Sequence, residues 1–226
     1  AFLKRIDMSE HMFYHSIGTV GGGNHFVEVG VTPAGNYAFT AHCGSRNLGQ
    51  KVWKYWKQVS VNQAGVTNGF LMGDAMKRYI TDMVVAQAYA EFNHQVIDRL
   101  VLDAIVSCSG QHADIVERIY TTHNYIDFAM KMLRKGAVAA PQGRKLVIPF
   151  NMRDGLIICH GKGNDDWNQS APHGAGRLFS RSEAKELIDL EEYRESMKGI
   201  YSTSVGTGTI DESPMAYKDP KEILQL

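Results

Sequence analysis

The chain has 226 residues, 44% of them hydrophobic, with 24 basic and 24 acidic side chains, so its formal net charge is zero. This composition excludes a disordered or low-complexity protein, and the balanced charge gives no bulk signature of a nucleic-acid partner. No apolar run approaches the roughly 18 residues that span a bilayer. Three cysteines without a CxxC pair argue against a disulfide framework, so we expect a reducing, cytoplasmic location. The sequence begins with "AFLKRIDMSE" and stops in "KDPKEILQL", and we expect a fragment of a longer protein.

Strands and helices follow one another without regular alternation. Residues 25–42 predict two short strands around a turn at Pro33–Asn36, and residues 74–106 predict a helix capped by Asp74. The apolar stripe of that helix is formed by Met76, Tyr79, Met83, Ala86, Ala90, Val96, Leu100 and Ala104. "KLVIPFN" and "GLIICHG" predict buried strands joined by a tight turn, and residues 180–199 predict one helix with a Ser180/Glu183 capping box. We therefore predict an α+β fold over 1–226 as a single domain.

Two histidines bracket the predicted hairpin. Residues opposite each other in an antiparallel pair are equidistant from the turn, and the midpoint of His25 and His42 falls between Pro33 and Ala34. Both rings should therefore reach the same end of the ribbon, within range of one metal ion. Imidazole suits several transition metals, so the element is not determined. A lone histidine near a strand is more often a hydrogen-bonded structural residue, and His123 in "TTHNY" is a third candidate ligand that spacing does not confirm.

Glycine-rich and basic segments raise the question of phosphate binding. "GTVGGGNHF" is not GxGxxG, and "GKGN" at 161–164 lacks P-loop spacing, so each is more often a turn. Arg46, Arg177 and Arg181 follow candidate ligand residues closely, which favours phosphate contacts over scattered surface charge. In "SAPHGAGR", His173 is surrounded by small residues that would let a large ligand approach its ring.

Together these segments resemble the RtcB family, the GTP- and manganese-dependent ligases that join RNA 3′-phosphate or 2′,3′-cyclic phosphate ends to 5′-hydroxyl ends. The matching stretches run in family order from residue 18 to residue 219: "GTVGGGNHFVEV", "HCGSRNLG", "DMVVAQAYAEFN", "THNYID", "IPFNMRDG", "GKGN", "SAPHGAGR", Ser180-Arg181 and "DESPMAYKD". The resemblance implies a partial RtcB-like catalytic core.

The resemblance also implies roles for individual residues. His173 matches the nucleophile that carries GMP as a phosphoramidate, which suits a neutral imidazole near pH 7. His25, His42 and His123 match ligands of Mn²⁺. Residues that match the surroundings of the guanylate are Asn24, Phe26, Glu28, His123, Asn124, Pro149, Phe150, Asn151, Met152, Gly174, Ala175, Gly176 and Tyr217. Phe26 would stack on the base, and Glu28 would accept hydrogen bonds from guanine N–H groups.

Some features of the family pattern are missing from the sequence. The upstream "DxGCGM" segment, which supplies an Asp and a bridging Cys to the metals, and the C-terminal lysine that contacts guanine are absent. Asn151 and Leu156 stand where some members have nucleotide-contacting serines. We therefore expect an incomplete two-metal site. The expected partners are GTP, RNA from transfer RNA splicing or RNA repair, and an archease-type activator. The alternatives are a binding fragment without turnover and a metal-dependent phosphoesterase.

Overall fold

The computed structural model describes residues 1–224. Its helices and small antiparallel sheets confirm the predicted α+β class. The chain divides into two compact units, the first covering residues 1–116 and the second beginning at residue 117. The single domain predicted over 1–226 stays a prediction. Within residues 1–224, no helix combines the length and apolarity needed to cross a membrane.

The first unit is built on two long helices and one hairpin. Its elements are α1 (Phe2–Arg5), α2 (Glu10–His15), β1 (Phe26–Val31), β2 (Tyr37–His42), α3 (Leu48–Ala64) and α4 (Gly73–Ser109). Leu48, Val52 and Trp56 lie on one face of α3, at the four-residue spacing of neighbouring helical turns, and pack with Ala86 and Tyr89 of α4. This packing forms the apolar core of the unit.

The long helix differs from its prediction in its cap and in its buried face. Asp74 is in the first turn, but the N-cap is Met72, which makes no side-chain capping bond. Met76 and Leu100 of the predicted stripe are 44% and 54% exposed, whereas Asp82 and Asn93 are buried. Both polar residues are tolerated because they have partners: Asp82 accepts from Arg5 Nη2 at 2.5 Å and from Trp56 Nε1 at 2.7 Å. The hydrophobicity pattern alone therefore could not predict that the face of the helix with Asp82 and Asn93 is buried.

The β1–β2 hairpin confirms the predicted strands but shifts their register by one residue. Phe26, not His25, pairs with His42, so the midpoint is Ala34. The reason is the loop, which holds five residues: the Thr32 N–H donates to the Asn36 carbonyl at 2.8 Å and closes it. Because successive strand residues point to opposite faces, Phe26, Glu28 and His42 share one face of the ribbon.

The described part of the second unit, residues 117–224, contains three small sheets, three α-helices and three short 3-10 helices. Its elements are β3 (Asn124–Asp127), β4 (Met132–Lys135), β5 (Ala137–Ala139), β6 (Lys145–Asn151), β7 (Gly155–His160), β8 (Ser170–Pro172), α5 (Arg181–Leu187), α6 (Leu190–Ser196) and α7 (Pro220–Leu224). The pairs are β3–β4, β5–β8 and β6–β7, all antiparallel. The β6–β7 hairpin confirms the prediction for "KLVIPFN" and "GLIICHG".

The helix predicted over 180–199 is two helices. The Ser180/Glu183 capping box that opens α5 is confirmed. The helix then breaks at Ile188, and Asp189 begins α6 by accepting the N–H groups of Glu191 and Glu192. An Asp with two acidic residues after it is a helix start, so the capping preference of Asp189 overrides the continuous helical pattern.

Candidate active site

The first pair of histidines lies at the open end of the β1–β2 hairpin. His42 ends β2, and His25 immediately precedes β1. Their ring centroids are 5.9 Å apart at an interplanar angle of 63°, and Phe26 meets His42 edge-on at 5.4 Å. The two imidazoles therefore come to the same end of the ribbon, as the sequence predicts, despite the one-residue shift in register. This separation lets both rings turn toward one ion.

Arg46 occupies the space beside His25. Its Nη1 lies 3.4 Å from His25 Nδ1 and its Nε donates to Thr19 Oγ1 at 3.1 Å. A Cβ atom at Gly21 would overlap the guanidinium, and Gly21 also has a φ of +100°. The first glycine of "GGGN" thus makes room for an arginine side chain, which explains why this segment is short of side chains.

The contact with Arg46 fixes the state of His25. A guanidinium has only N–H donors, so Nδ1 of His25 must accept, and the ring proton of the neutral form is on Nε2. Burial lowers the pKa of His25, the Arg46 charge and His94 lower it further, and a hydrogen bond to the Gly22 backbone opposes them. His25 is therefore neutral near pH 7, as a metal ligand must be, but its Nδ1 lone pair already faces a cation.

Asn93 anchors the loops that carry these histidines. It is fully buried in α4 and accepts the Gly18 N–H at 2.7 Å. Its Nδ2 reaches the Thr19 carbonyl at 3.2 Å, the Gly44 carbonyl at 3.3 Å and Cys43 Sγ at 3.4 Å. One amide therefore ties the glycine-rich segment and the segment after His42 to the same helix. The sequence pattern did not predict this role for Asn93, because an Asn on a helix is ordinarily exposed.

Cys43 and Glu28 are both disfavoured as anions. Burial raises the pKa of the Cys43 thiol to about 11, against smaller opposing effects from Arg46 and Asn93. The group is thus a thiol near pH 7 and not the thiolate that binds metals. Burial also raises the pKa of Glu28, which lies on the same face of the hairpin as Phe26 and His42.

The second pair of histidines is His123 and His173. The rings are stacked, with centroids 4.8 Å apart and an interplanar angle of 28°. His173 follows β8 and is exposed, and its Nδ1 lies 2.6 Å from the Gly136 carbonyl oxygen. Because a carbonyl only accepts, Nδ1 carries the proton and donates, which leaves the lone pair of the neutral ring on Nε2. Nε2 is therefore the nitrogen of this exposed ring that could act as a nucleophile.

Gly136 connects the two histidines through its backbone. Its N–H donates to the His123 carbonyl at 2.8 Å and to Asn124 Oδ1 at 3.0 Å, while its carbonyl accepts from His173. Its φ is +66°, and a Cβ there would lie 3.4 Å from Cε1 of His173. Asn124, predicted near the guanylate, thus orders this turn with its side-chain oxygen. Gly136 itself was missed, since one glycine between two short strands looks like any turn.

The buried side chain of Arg134 connects the segments that carry His123 and His173. It is 2% exposed and its Nε donates to Asp127 Oδ2 at 3.1 Å. Its Nη1 donates to Ser170 Oγ at 2.5 Å and to the Asn168 carbonyl at 3.2 Å. Arg134 thus joins the β3–β4 hairpin after His123 to the strand before His173. Burial opposes ionisation of Asp127, but the Met130 N–H and Arg134 outweigh it and lower the pKa of Asp127.

The segment after His173 is fastened through its backbone. The Ala175 N–H donates to the Pro149 carbonyl at 3.1 Å, and a Cβ at Gly174 would lie 3.3 Å from that oxygen. The Gly176 carbonyl accepts the Lys218 N–H at 3.0 Å. The small residues of "HGAG" therefore allow close approach to β6 on one side and to the segment around Tyr217 on the other.

Several predicted nucleotide contacts have side chains already engaged in the second unit. Phe150 is 5% exposed. Asn151 Oδ1 accepts the N–H groups of Arg153 and Asp154 at 3.0 and 2.9 Å, so it shapes the β6–β7 turn. The thioether of Met152 accepts from the Tyr193 hydroxyl at 2.9 Å. These side chains are therefore buried or bonded within the unit, and their contacts with a nucleotide stay predictions.

Arg177, Arg181 and Tyr217 form a network with two carboxylates. Arg177 stacks 5.1 Å from the Tyr217 ring centroid and donates to the Asp211 carbonyl at 2.5 Å. Arg181 donates to Asp211 Oδ2 at 2.7 Å and contacts Glu212, which also accepts from Tyr217. Burial and the contact with Glu212 raise the pKa of Tyr217 to about 12. Both guanidiniums therefore have structural partners, and their contact with RNA phosphates stays a prediction.

The predicted site residues fall into the two units. The first unit holds Asn24, His25, Phe26, Glu28, His42 and Arg46, and the second holds His123, Asn124, Pro149 to Met152, His173 to Arg177, Arg181 and Tyr217. In the part of the chain that the structure describes, no three His, Cys, Asp or Glu side chains form a group that could hold a metal. The "GKGN" segment has no regular secondary structure, and Gly161 packs against the backbone of Ala140 and Pro141.

Comparison with known proteins agrees with the resemblance seen in the motifs. The family model described as "tRNA-splicing ligase RtcB" matches residues 4–226. The RNA-splicing ligase RtcB of Escherichia coli K12 is 29% identical over 227 residues, which cover 91% of this chain and 55% of the relative. The tRNA-splicing ligase RtcB of Aeropyrum pernix is 29% identical over 266 residues, with 93% and 55% covered. The chain thus spans about half the length of the curated relatives it matches, and it belongs to the RtcB family.

Proposed function

We propose that the protein is the nucleophile-bearing part of an RNA ligase, which joins RNA 3′-phosphate or 2′,3′-cyclic phosphate ends to 5′-hydroxyl ends through a His173-GMP intermediate. One observation carries the proposal. The Gly136 carbonyl holds the Nδ1 proton of His173, so that Nε2 of an exposed ring keeps its lone pair. The names of the relatives, RNA-splicing and tRNA-splicing ligases, support the RNA substrate and the broader activity.

The proposed chemistry follows from the state of this ring. Nε2 attacks the α-phosphorus of GTP, a P–N bond forms, and the P–O bond to pyrophosphate breaks. The ring gains positive charge in this step, and the Gly136 carbonyl oxygen stabilises it through the Nδ1–H bond. The RNA 3′-phosphate, which a 2′,3′-cyclic end yields when water breaks its bond to the 2′-oxygen, then displaces the imidazole and takes the GMP. Finally the 5′-hydroxyl attacks the activated phosphate and GMP leaves.

The residues present fit a Mn²⁺ site in part. His25 and His42 would supply two imidazole ligands in the first unit, and His123 is a candidate ligand in the second; among residues 1–224, no three His, Cys, Asp or Glu side chains form a group that could hold a metal. A bound ion would offset phosphate charge during the displacement. For Nδ1 of His25 to bind a metal, Arg46 must first withdraw from it. Imidazole ligands alone do not select the element.

The nucleotide contacts are proposed on the same basis. Phe26 would stack on guanine, and Glu28 would accept from its N–H groups, since the two side chains lie on one face of the hairpin. Asn24 is a further proposed nucleotide contact in the first unit. In the second unit the proposed nucleotide contacts are Asn124, Pro149 to Met152, Gly174, Ala175, Gly176 and Tyr217. For RNA phosphates Arg46 is the better supported contact, because its side-chain partners are Thr19 and His25, whereas Arg177 and Arg181 are paired with the acidic residues Asp211 and Glu212. We retain a cytoplasmic location and an archease-type activator as parts of the proposal.

A second candidate is a nucleotide- or RNA-binding chain without turnover. It is favoured by one observation, the lack of a three-ligand metal group among residues 1–224. Under this reading the chain would bind RNA in a salt-sensitive way that Arg46→Ala weakens. A metal-dependent phosphoesterase has no comparable support.

The two candidates are separated by labelling with α-³²P-GTP and Mn²⁺. We expect acid-labile, alkali-stable label on the parent chain and none on His173→Ala. His160→Ala is the control, because His160 is exposed and at the end of β7 in the same unit. Label on the parent and on both variants would show that another residue is the nucleophile. No label on any of the three would favour the binding chain.

A further inference from the structure

The first unit contains an open cleft that none of the proposed chemistry uses. It has a volume of about 500 Å³ and lies between α3, the loop 65–72 and the first turns of α4. Its walls include Trp53, Trp56, Lys57, Phe70, Met76 and Tyr79. A volume of this size is within the range of roughly 300–1,000 Å³ typical of small-ligand sites. None of its lining residues belongs to the two histidine pairs.

The loop that forms one wall of the cleft is held in place by specific contacts. A Cβ atom at Gly69 would overlap the Ser60 carbonyl, so only glycine lets the loop lie against α3. The side chain of Gln63 pairs with the Met72 backbone, accepting its N–H at 3.1 Å and donating to its carbonyl at 3.4 Å. Trp56 is fixed by its bond to Asp82. The cleft is therefore preformed and does not depend on a ligand to open it.

Aromatic rings are presented to solvent at the mouth of this cleft. Trp53 is 52% exposed and Phe70 is 57% exposed. Lys57 places its ammonium 5.0 Å from the centroid of the Trp53 ring. Large rings left exposed and next to a cation are a common feature of surfaces that stack planar ligands.

The charged side chains on the α3 side of the cleft are all positive. Helix α3 carries Lys51, Lys54 and Lys57 and no acidic residue in its 17 positions. Lys51 is paired with Asp7, whereas Lys54 and Lys57 are exposed. On α4, Asp74 contacts Lys77 at 3.5 Å and Arg78 is exposed, while Asp82 is buried and paired with Arg5. In a chain of zero net charge, this is a local basic surface.

We propose that this cleft binds single-stranded RNA, with unpaired bases stacked on Trp53 and Phe70 and the backbone phosphates beside Lys54 and Lys57. Aromatic platforms combined with lysines form the general recognition mode for single strands, because every base has a π face and every nucleotide a phosphate. An apolar peptide would also fill the cleft but would gain nothing from the lysines. The choice of RNA over DNA rests on the proposed ligase function, and the site itself rests on the cleft.

The test uses a fluorescently labelled octameric oligoribonucleotide with a 3′-hydroxyl end, so that no ligatable phosphate is present. Binding is followed by anisotropy for the parent chain and for Trp53→Ala, Lys57→Ala, Tyr37→Ala and Lys198→Ala. Tyr37 is a matched aromatic control, since it is 83% exposed on the hairpin of the same unit. Lys198 is a lysine control in the second unit, where it pairs with Glu195.

Loss of one stacking platform should raise Kd about tenfold in Trp53→Ala. Lys57→Ala should raise Kd a few-fold and reduce the slope of log K against log salt by about 0.7, one phosphate contact on a single strand. The two controls should bind like the parent. Equal affinity in parent and Trp53→Ala, or no binding at all, would overturn the proposal and leave the cleft to a protein partner. Guanylylation needs no RNA, so failure of the labelling test and failure of this one are distinguishable.

Discussion

The two histidine pairs differ in what the Nδ1 atom of one ring contacts. In the first pair, Nδ1 of His25 faces the Arg46 guanidinium, so it accepts, and the proton of the neutral ring is on Nε2. In the second pair, Nδ1 of His173 donates to the Gly136 carbonyl, so Nε2 has the lone pair. The same side chain is thus set in opposite tautomers by its neighbours. The tautomer of each neutral ring therefore follows from the partner of its Nδ1 atom, which the sequence motif around the ring does not reveal.

The scaffolds behind the pairs are alike. Each pair depends on one deeply buried polar side chain that joins two distant segments: Asn93 in the first unit and Arg134 in the second. The difference is charge. Asn93 satisfies neutral backbone groups, whereas Arg134 is half of a buried ion pair with Asp127. Breaking the ion pair should therefore lower the free energy of unfolding more than removing the Asn93 side chain, because it leaves a charge buried without compensation.

Asp127→Asn should have the largest effect on stability, a loss of about 3–5 kcal/mol at pH 7. The lowered pKa of Asp127 sets the pH dependence. Its stabilising contribution is present above the unfolded value, about 3.9, and disappears as the pH falls through the folded pKa. The difference between parent and variant should therefore shrink below about pH 4. Urea unfolding at several pH values measures it.

Glu195→Gln is the matched control for that change, because Glu195 pairs with Lys198 on the exposed surface of the same unit. We expect a loss no larger than about 0.5 kcal/mol. If Asp127→Asn were as mild as this control, the buried pair would not hold the second site together.

Asn93→Ala should lower the free energy of unfolding by about 2–3 kcal/mol, because backbone groups of Gly18, Thr19 and Gly44 would lose their buried partner. Tryptophan fluorescence measures unfolding, with Trp53 and Trp56 in this unit and Trp167 in the second. Asn62→Ala is the control, since its side chain bonds only with exposed Gln58 among the hydrogen bonds found. If Asn93→Ala and Asn62→Ala lowered the free energy of unfolding equally, Asn93 would not be the anchor of the loops that carry the first pair.

Gly136→Ala tests the backbone support of His173. Gly143 has a similar φ, +76° against +66°, but a Cβ there would contact nothing within 4 Å. Both substitutions should lower the free energy of unfolding by about 1–2 kcal/mol, because alanine is disfavoured in the left-handed backbone conformation. Only Gly136→Ala strains the residue whose carbonyl accepts from His173 Nδ1, and we expect its rate of GTP labelling to fall by up to about tenfold. Equal labelling rates in the two variants would contradict the proposed support.

Gly21→Ala is the counterpart in the first unit and should have the smallest effect. Its Cβ would overlap the Arg46 guanidinium, whereas Gly23, also at positive φ, has open space. Gly21→Ala should move Arg46 away from His25 and shift the Nδ1 resonance of that ring in ¹⁵N spectra. Gly23→Ala should leave the resonance in place. Identical spectra for both variants would mean that Arg46 does not set the state of His25.

The sequence predicted those elements that depend on residues only a few positions apart. The β1–β2 and β6–β7 hairpins, the long helix and the Ser180/Glu183 capping box depend on turn residues, periodicity and capping, all readable within a few positions. The errors are equally local. The five-residue loop moved the hairpin register by one, and Asp189 divided one predicted helix into two.

The supports of the site could not be predicted in the same way. Asn93 reaches residues 49 to 75 positions away, and Arg134 reaches Ser170 36 positions away. Neither residue type suggests burial, and their partners are mostly backbone groups that any sequence has. Helix α3 was not predicted, although Leu48, Val52 and Trp56 share one face. His123, His173 and Arg46 were named from the sequence, but not the contacts that distinguish their roles.

The central claim is that Nε2 of His173 is the nucleophile because Nδ1 is held by Gly136. The most direct test is to digest the GMP-labelled chain and to identify the phosphorylated nitrogen by ¹H–³¹P NMR of the histidine-containing peptide. The structure predicts a phosphoramidate on Nε2 of His173. A phosphoramidate on Nδ1, or on any other histidine, would contradict the account.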